Sequence, residues 1–174
     1  MEPAHSGDLT GPPVPGDPVA EPLDLPAAYG SPQRTLAWED VRARLAAATH
    51  YWLATVRADG RPHVVPLDGL WLDDAWFFGG SPEAVKHRNL KADPRAVVHL
   101  EDAESAVIVE GVCEEIFPEG TLADRLAELS KSKYGYGPEP GSYARTGVWR
   151  LRPVRVLSWR RFPRDATRFL FRKR

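Results

Sequence analysis

Apolar side chains recur at helical spacing early in the chain, where Trp38, Val41, Leu45 and Ala48 fall on one stripe. The pattern predicts a short amphipathic helix beginning near Thr35. The period then changes. Tyr51 to Arg57 is rich in aromatic and β-branched residues, Ala58-Asp59-Gly60-Arg61 supplies a turn, and His63 to Leu67 returns as the second strand of a hairpin. Asp68-Gly69 offers a bend into Leu70-Trp71-Leu72, and Asp73-Asp74 a tight turn into Ala75 to Phe78. After Gly79-Gly80, Ser81-Pro82-Glu83 reads as a helix start running to about Lys91.

Two further strands are expected over Ala96 to Glu101 and Ala106 to Ile116. The second carries Glu110 and Glu114 between Ile108, Val112 and Ile116, so one of its faces is mixed. A helix from about Glu119 to Lys133 aligns Leu122, Leu126 and Leu129, the loop Gly135 to Gly141 ends it, and a long strand runs from about Gly147 to Arg160. The sum is a mainly β, α+β domain of about six antiparallel strands with about three flanking helices. Short turns favour a Greek-key barrel, because closure removes exposed sheet edges. Regular strand-helix alternation, which a doubly wound sheet needs, is missing.

No such period runs through residues 1–33, which hold 8 of the 17 prolines. They read as a disordered extension ahead of one folded domain at 34–174. A net charge of −1 argues against a dedicated nucleic-acid binder and directs attention to small molecules. The basic stretch Arg150 to Arg174 does not reverse this, since Trp149, Leu151, Leu157 and Trp159 make part of it a strand with a solvated face. One cysteine, Cys113, leaves no disulfide and no thiolate cluster for a metal, which fits a cytoplasmic protein. Neither an export signal nor a membrane-spanning run is present.

Candidate chemistry concentrates in Phe77 to Leu90. Gly79 and Gly80 leave an aromatic strand and open a helix, so a ligand can approach the backbone closely, and the free amides suit a phosphate. Lys86 and Arg88 add positive charge, and Asn89 can donate a hydrogen bond. The segment is neither a P-loop nor a dinucleotide fingerprint. Pro62 to Leu67 can lie beside it as an apolar wall, with Pro66 at an edge or bulge. His50, His63, His87 and His99 show no ligand spacing, no hydrolase triad stands out, and Tyr134 and Tyr136 read as loop-packing residues.

Tyr51 to Pro66, then Lys86-x-x-Asn89-Leu90, then Asp93-Pro94-Arg95, resemble the pyridoxamine 5′-phosphate oxidase-like split-barrel superfamily. More narrowly, they are similar to actinobacterial flavin/deazaflavin oxidoreductases. Lys133-Tyr134-Gly135 and Ala166 to Phe169 resemble later family segments, so the likeness covers roughly residues 35 to 171. It implies a homodimer with cofactor sites at the interface. Lys86, Asn89 and Ser81 would hold the cofactor's phosphate region; His63, Val64, Val65, Pro66, Phe78, Gly79 and Gly80 would line its ring; Arg168 would reach in from the partner. The implied cofactor is the deazaflavin F420, with FMN second. Haem is a weaker expectation, although the superfamily includes haem binders and His63 could be a ligand. The implied reaction is hydride transfer to a small organic substrate, with no acid or base assigned. The rival is a non-catalytic carrier. Asp68 stands where relatives carry apolar residues, and its direction decides whether a carboxylate faces the ring.

Overall fold

The computed structural model describes residues 17–139 and 141–172. Its elements are β1 (Val19–Pro22), a 3₁₀ turn (Ala27–Tyr29), α1 (Trp38–Ala47), β2 (Tyr51–Val56), β3 (Pro62–Leu67), β4 (Leu70–Leu72), β5 (Ala75–Phe78) and α2 (Val85–Ala92), followed by β6 (Arg95–His99), β7 (Val107–Ile116), α3 (Gly120–Tyr134), α4 (Ser142–Thr146), β8 (Val148–Ser158) and β9 (Thr167–Leu170). Every strand pairing is antiparallel.

The long strand β8 organises the sheet. One of its edges pairs with β7 along its whole length, and the other is divided between β5 at Trp149–Leu151 and β9 at Arg155–Ser158. From β8 the order continues through β7, β6 and β2 to β3 on one side, and through β9 to β1 on the other.

Two expectations are corrected. The sheet has nine strands rather than six, and among the described residues its pairing path does not close into a barrel. The extra strands are short: β1 and β9 have four residues each and β4 three, too few to show a period. The expected disordered extension through residue 33 is also shortened, since Val19–Pro22 pairs with β9 and Leu23 donates to the Ala166 carbonyl at 2.9 Å. Residues 1–16 lie outside the described part of the chain.

The helix stripe read from sequence is the buried face of α1: Trp38, Val41 and Leu45 join Tyr51, Leu53, Trp76, Val98, Leu151 and Phe169 in the main core. Leu126 of α3 covers a second cluster with Leu70, Phe77 and Val148. Burying each large apolar side chain contributes about 1.5–3 kcal/mol. The β4–β5 turn forms as predicted, with Asp73 and Asp74 at φ 50° and 55°, values that suit a tight hairpin. Arg125 of α3 grips the Asp73 carboxylate with two bonds of 2.6 and 2.8 Å.

Gly69 is required by packing, because a Cβ there would stand 2.2 Å from Trp76 Nε1, and Trp76 has no exposed surface. Gly69→Ala is therefore expected to lower stability by roughly 1–3 kcal/mol. Gly79→Ala, which meets nothing within 4 Å, should change it by less than about 0.5 kcal/mol. Urea unfolding of the two variants checks the contrast.

Candidate functional site

The segment from Phe78 to Leu90 leaves β5 beside Trp149 and enters α2. Ser81 does not cap the helix. Its Oγ accepts from the Glu83 N–H at 3.3 Å, Ala84 N–H donates to the Ser81 carbonyl at 3.0 Å, and α2 begins only at Val85. Short-range bonding of a serine to its neighbours competes with capping. The expected helix start is thereby moved from residue 81 to 85.

This turn lets Lys86 fold back. A Cβ at Gly80, whose φ is 129°, would stand 2.7 Å from Lys86 Nζ. Lys86 is half-buried and has no ion-pair partner among the described residues; burial lowers its proton affinity. Burial, then the charges of Arg57 and Lys86, push the His63 imidazole below its usual value. Lys86 thus shares a positive environment with His63 and Arg57, next to a glycine loop open to solvent. Such a corner can take an anion.

Thr55 ties the corner together. Its Oγ1 lies 3.3 Å from His63 Nδ1 and accepts from Asn89 Nδ2 at 2.9 Å. Sequence reading passed over Thr55, yet strand alternation sets it inward with Tyr51 and Leu53, and the β2–β3 register places it opposite His63.

The remaining predicted residues divide. Val65 faces inward with His63, while Val64, half exposed, and Pro66 lie on the opposite face of β3. Phe78 is a core residue, stacked between Trp76 and Trp149. Asn89 is buried and committed to Thr55. Gly79, Gly80 and Ser81 are exposed. Within its own chain Arg168 lies far from this corner: it pairs with Glu21 at 2.5 Å and stands opposite Leu157, whereas Phe78 stands opposite Trp149, which puts about 26 Å of β8 between them at ~3.3 Å per residue, so the role expected of it is one across a subunit boundary. Asp68 is exposed and accepts from the Tyr136 hydroxyl.

Asp68 and Tyr136 adjoin a second polar cluster. Lys133 donates to Tyr51 Oη at 2.9 Å and lies near the Gly69 carbonyl at 3.3 Å, while the Tyr134 hydroxyl bonds the carbonyls of Gly69 and Thr49. These bonds fix the end of α3 to the β3–β4 link. Among the described residues, no group of three or more His, Cys, Asp and Glu side chains is assembled to hold a metal, and no helix is long and apolar enough to cross a membrane.

Residues 37–160 match the family profile described as pyridoxamine 5′-phosphate oxidase. The chain belongs to that family. Among solved structures, an F420 reductase is 25% identical with a TM-score of 0.53, over 66% of this chain and 94% of that one. An FAD-binding protein from Mesorhizobium loti is 25% identical with a TM-score of 0.53, over 78% and 96%. A haem-binding protein from Mycobacterium smegmatis is 26% identical with a TM-score of 0.60, over 76% of this chain and 58% of that one. Comparison with curated proteins gives no match. The pyridoxamine 5′-phosphate oxidase family and its split-barrel superfamily thus frame the glycine loop, Lys86 and His63, and the family match takes in β2 through β8.

Desolvation pulls the Lys133 ammonium down to about 8, while an unfolded lysine titrates near 10.4. Between these values the unfolded chain holds more protons, so this group makes stability rise with pH. Cys113 opposes it, since burial pushes its thiol up to about 12 and an unfolded thiol ionises near 8.5. In a Cys113→Ala background, the urea midpoint is expected to rise from about pH 8 to 9.5. Adding Lys133→Met should flatten that rise.

Proposed function

We propose that this chain is an oxidoreductase that binds F420, or FMN as the second candidate, and passes a hydride between that cofactor and a small organic substrate. The observation carrying this reading is Lys86, a half-buried ammonium without a counter-ion among the described residues, set against the Gly79–Gly80 loop beside His63. The donor chemistry fits the phosphate of either cofactor: the Lys86 ammonium, the His63 imidazole and a backbone at Gly80 where a Cβ would collide with Lys86. Family membership and the likeness to an F420 reductase support the reading. When bound, the reduced ring supplies the hydride, and the protein holds, orients and shields it. Lys86 would anchor the phosphate, His63 and Val65 would flank the chain leading to the ring, and Thr55 would hold His63 and Asn89 in register.

Gly79, Gly80 and Ser81 are exposed in the single chain, and the family resemblance motivates a homodimer. The outer face of β3, β2 and β6 carries a continuous apolar surface: Val64 lies opposite Ala54, which lies opposite Val97, and Trp52 lies between Pro66 and His99. Val64 is 50% exposed and Val56 42%. A patch of this kind marks an interaction site. Pairing two such faces would bury it. Val64→Glu is expected to shift sedimentation from dimer to monomer without unfolding the chain.

The second reading, a non-catalytic binder of flavin, deazaflavin or haem on the same fold, draws on the likeness to the Mycobacterium smegmatis haem-binding protein. Titrating F420, FMN and haem against the purified protein separates the candidates. Turnover of reduced F420 with quinones and enones separates enzyme from carrier. Lys86→Ala is expected to weaken F420 and FMN binding by roughly 10- to 100-fold, the value of a hydrogen bond to a charged group. Unchanged affinity for both would remove Lys86 from the site.

A further inference from the structure

The basic stretch Arg150 to Arg174 carries ten Lys and Arg residues against one acid, Asp165. Its strands account for part of that charge: Arg150, Arg152 and Arg155 pair with glutamates of β7, and Arg168 with Glu21. Arg160, Arg161 and Arg164, on the loop between β8 and β9, are exposed and have no ion-pair partner among the described residues. Asp165 does not neutralise them. It is buried, its Oδ1 accepts from the backbone N–H groups of Arg160 and Arg161 at 3.0 and 2.8 Å, and its Oδ2 lies 3.6 Å from Arg34. The Gln33 N–H donates to the Arg164 carbonyl at 2.8 Å. The backbone of the loop is thus held from within while its arginines stay exposed.

The same loop exposes aromatic surface. Phe162 is 43% exposed, and Tyr29 of the 3₁₀ turn 57%. Their rings meet edge to face at 5.8 Å, and Phe162 meets the half-buried Trp159 edge to face at 5.4 Å. The segments 25–38 and 156–164, which carry these rings, hold four arginines and no Asp or Glu. The patch ends where the Trp159 indole N–H donates to the Ala103 carbonyl at 3.4 Å, in a turn that carries Glu101, Asp102 and Glu104.

The geometry discriminates between partners for such a surface. Single-stranded nucleic acid stacks successive bases on aromatic faces, whereas edge-to-face packing turns these neighbouring rings out of parallel. A peptide is recognised in a groove or along a sheet edge, and the recesses at Asp73–Asp74 and at Gly79–Gly80 include none of these residues. A bilayer interface needs neither. Aromatic side chains settle at its headgroup level, and cations are drawn to anionic lipids.

We propose that the β8–β9 loop docks peripherally on an anionic membrane surface, with Arg160, Arg161 and Arg164 on headgroup phosphates and Phe162 and Tyr29 at headgroup level. The attachment requires no spanning segment and is independent of the cofactor reading. Because the whole chain carries a net charge of only −1, the attraction is local to this face and sets which way the molecule turns toward the bilayer.

The test is co-sedimentation of the full chain with vesicles of phosphatidylcholine alone and of phosphatidylcholine mixed with phosphatidylglycerol. The wild type is expected to partition onto the anionic vesicles only, and less as salt rises. Each cation near such a surface strengthens binding by roughly fivefold, so a variant combining Arg160→Gln, Arg161→Gln and Arg164→Gln should bind roughly 100-fold more weakly. Its urea midpoint should match the wild type, since the three side chains are exposed. Phe162→Ala should weaken binding by about tenfold, while Phe162→Trp should retain it. A wild type that ignores anionic vesicles, equal binding to both vesicle types, or undiminished binding by the arginine variant each overturns the proposal. Arginine-dependent capture of oligoglutamate or of a single-stranded oligonucleotide, with the vesicles left unbound, assigns the loop to that class of partner and overturns it as well.

Discussion

The structure depends on the hydrogen-bonding capacity of β8. An eleven-residue strand in the interior of a sheet must satisfy backbone donors and acceptors along two edges. β7 covers one edge completely, but β5 and β9 are too short to cover the other alone and divide it. That division places the end of β5 beside Trp149, and so determines where the chain must leave the sheet. Gly79 and Gly80 occupy the exit, α2 follows, and Lys86 and His87 both come to lie beside Gly80. The aromatic stack of Trp76, Phe78, Trp149 and His87 forms across the same junction.

Elements with enough residues to show a period were legible in the sequence. The stripe of α1, the β2–β3 hairpin, the long β7 and β8 strands and the Leu126 face of α3 all follow from side-chain spacing. What stayed hidden is set by partners far along the chain. Strand β1 is four residues inside a proline-rich stretch, and only β9 makes it a strand, with Glu21 meeting Arg168 across the pair. The basic C-terminal stretch was equally opaque in detail, because the charges on its strands are neutralised across the sheet. Arg155 meets Glu110, and Arg150 and Arg152 meet Glu114, none of them near in sequence.

The candidate site was legible as a segment but not as a geometry. Lys86 and the glycines could be named from their spacing. Strand alternation alone would have separated Val64 and Pro66 from His63 and Val65, since neighbours on a strand face opposite sides. Thr55 needed the register of two strands, and the burial of His87 needed Trp149, sixty-two positions onward. Arg168 is different in kind: β9 sets it at the far end of β8 beside Glu21, and the role the resemblance implies for it lies across a subunit boundary.

Three unsatisfied features mark the described residues. Among the described residues Lys86 is partly desolvated with no counter-ion and His87 Nε2 is buried with no hydrogen-bond partner, and the face bearing Val64 leaves apolar surface in water. Each costs free energy in the isolated chain, from desolvation of a charge, loss of a hydrogen bond to water, and exposure of apolar area, respectively. A folded chain of ordinary stability can carry a few such costs. An anion at Lys86 and a second apolar surface on the Val64 face would each relieve one of them. Lys86 beside the glycine loop and the Val64 face on the other side of β3 are thus separate pointers, one to an anion and one to a protein surface.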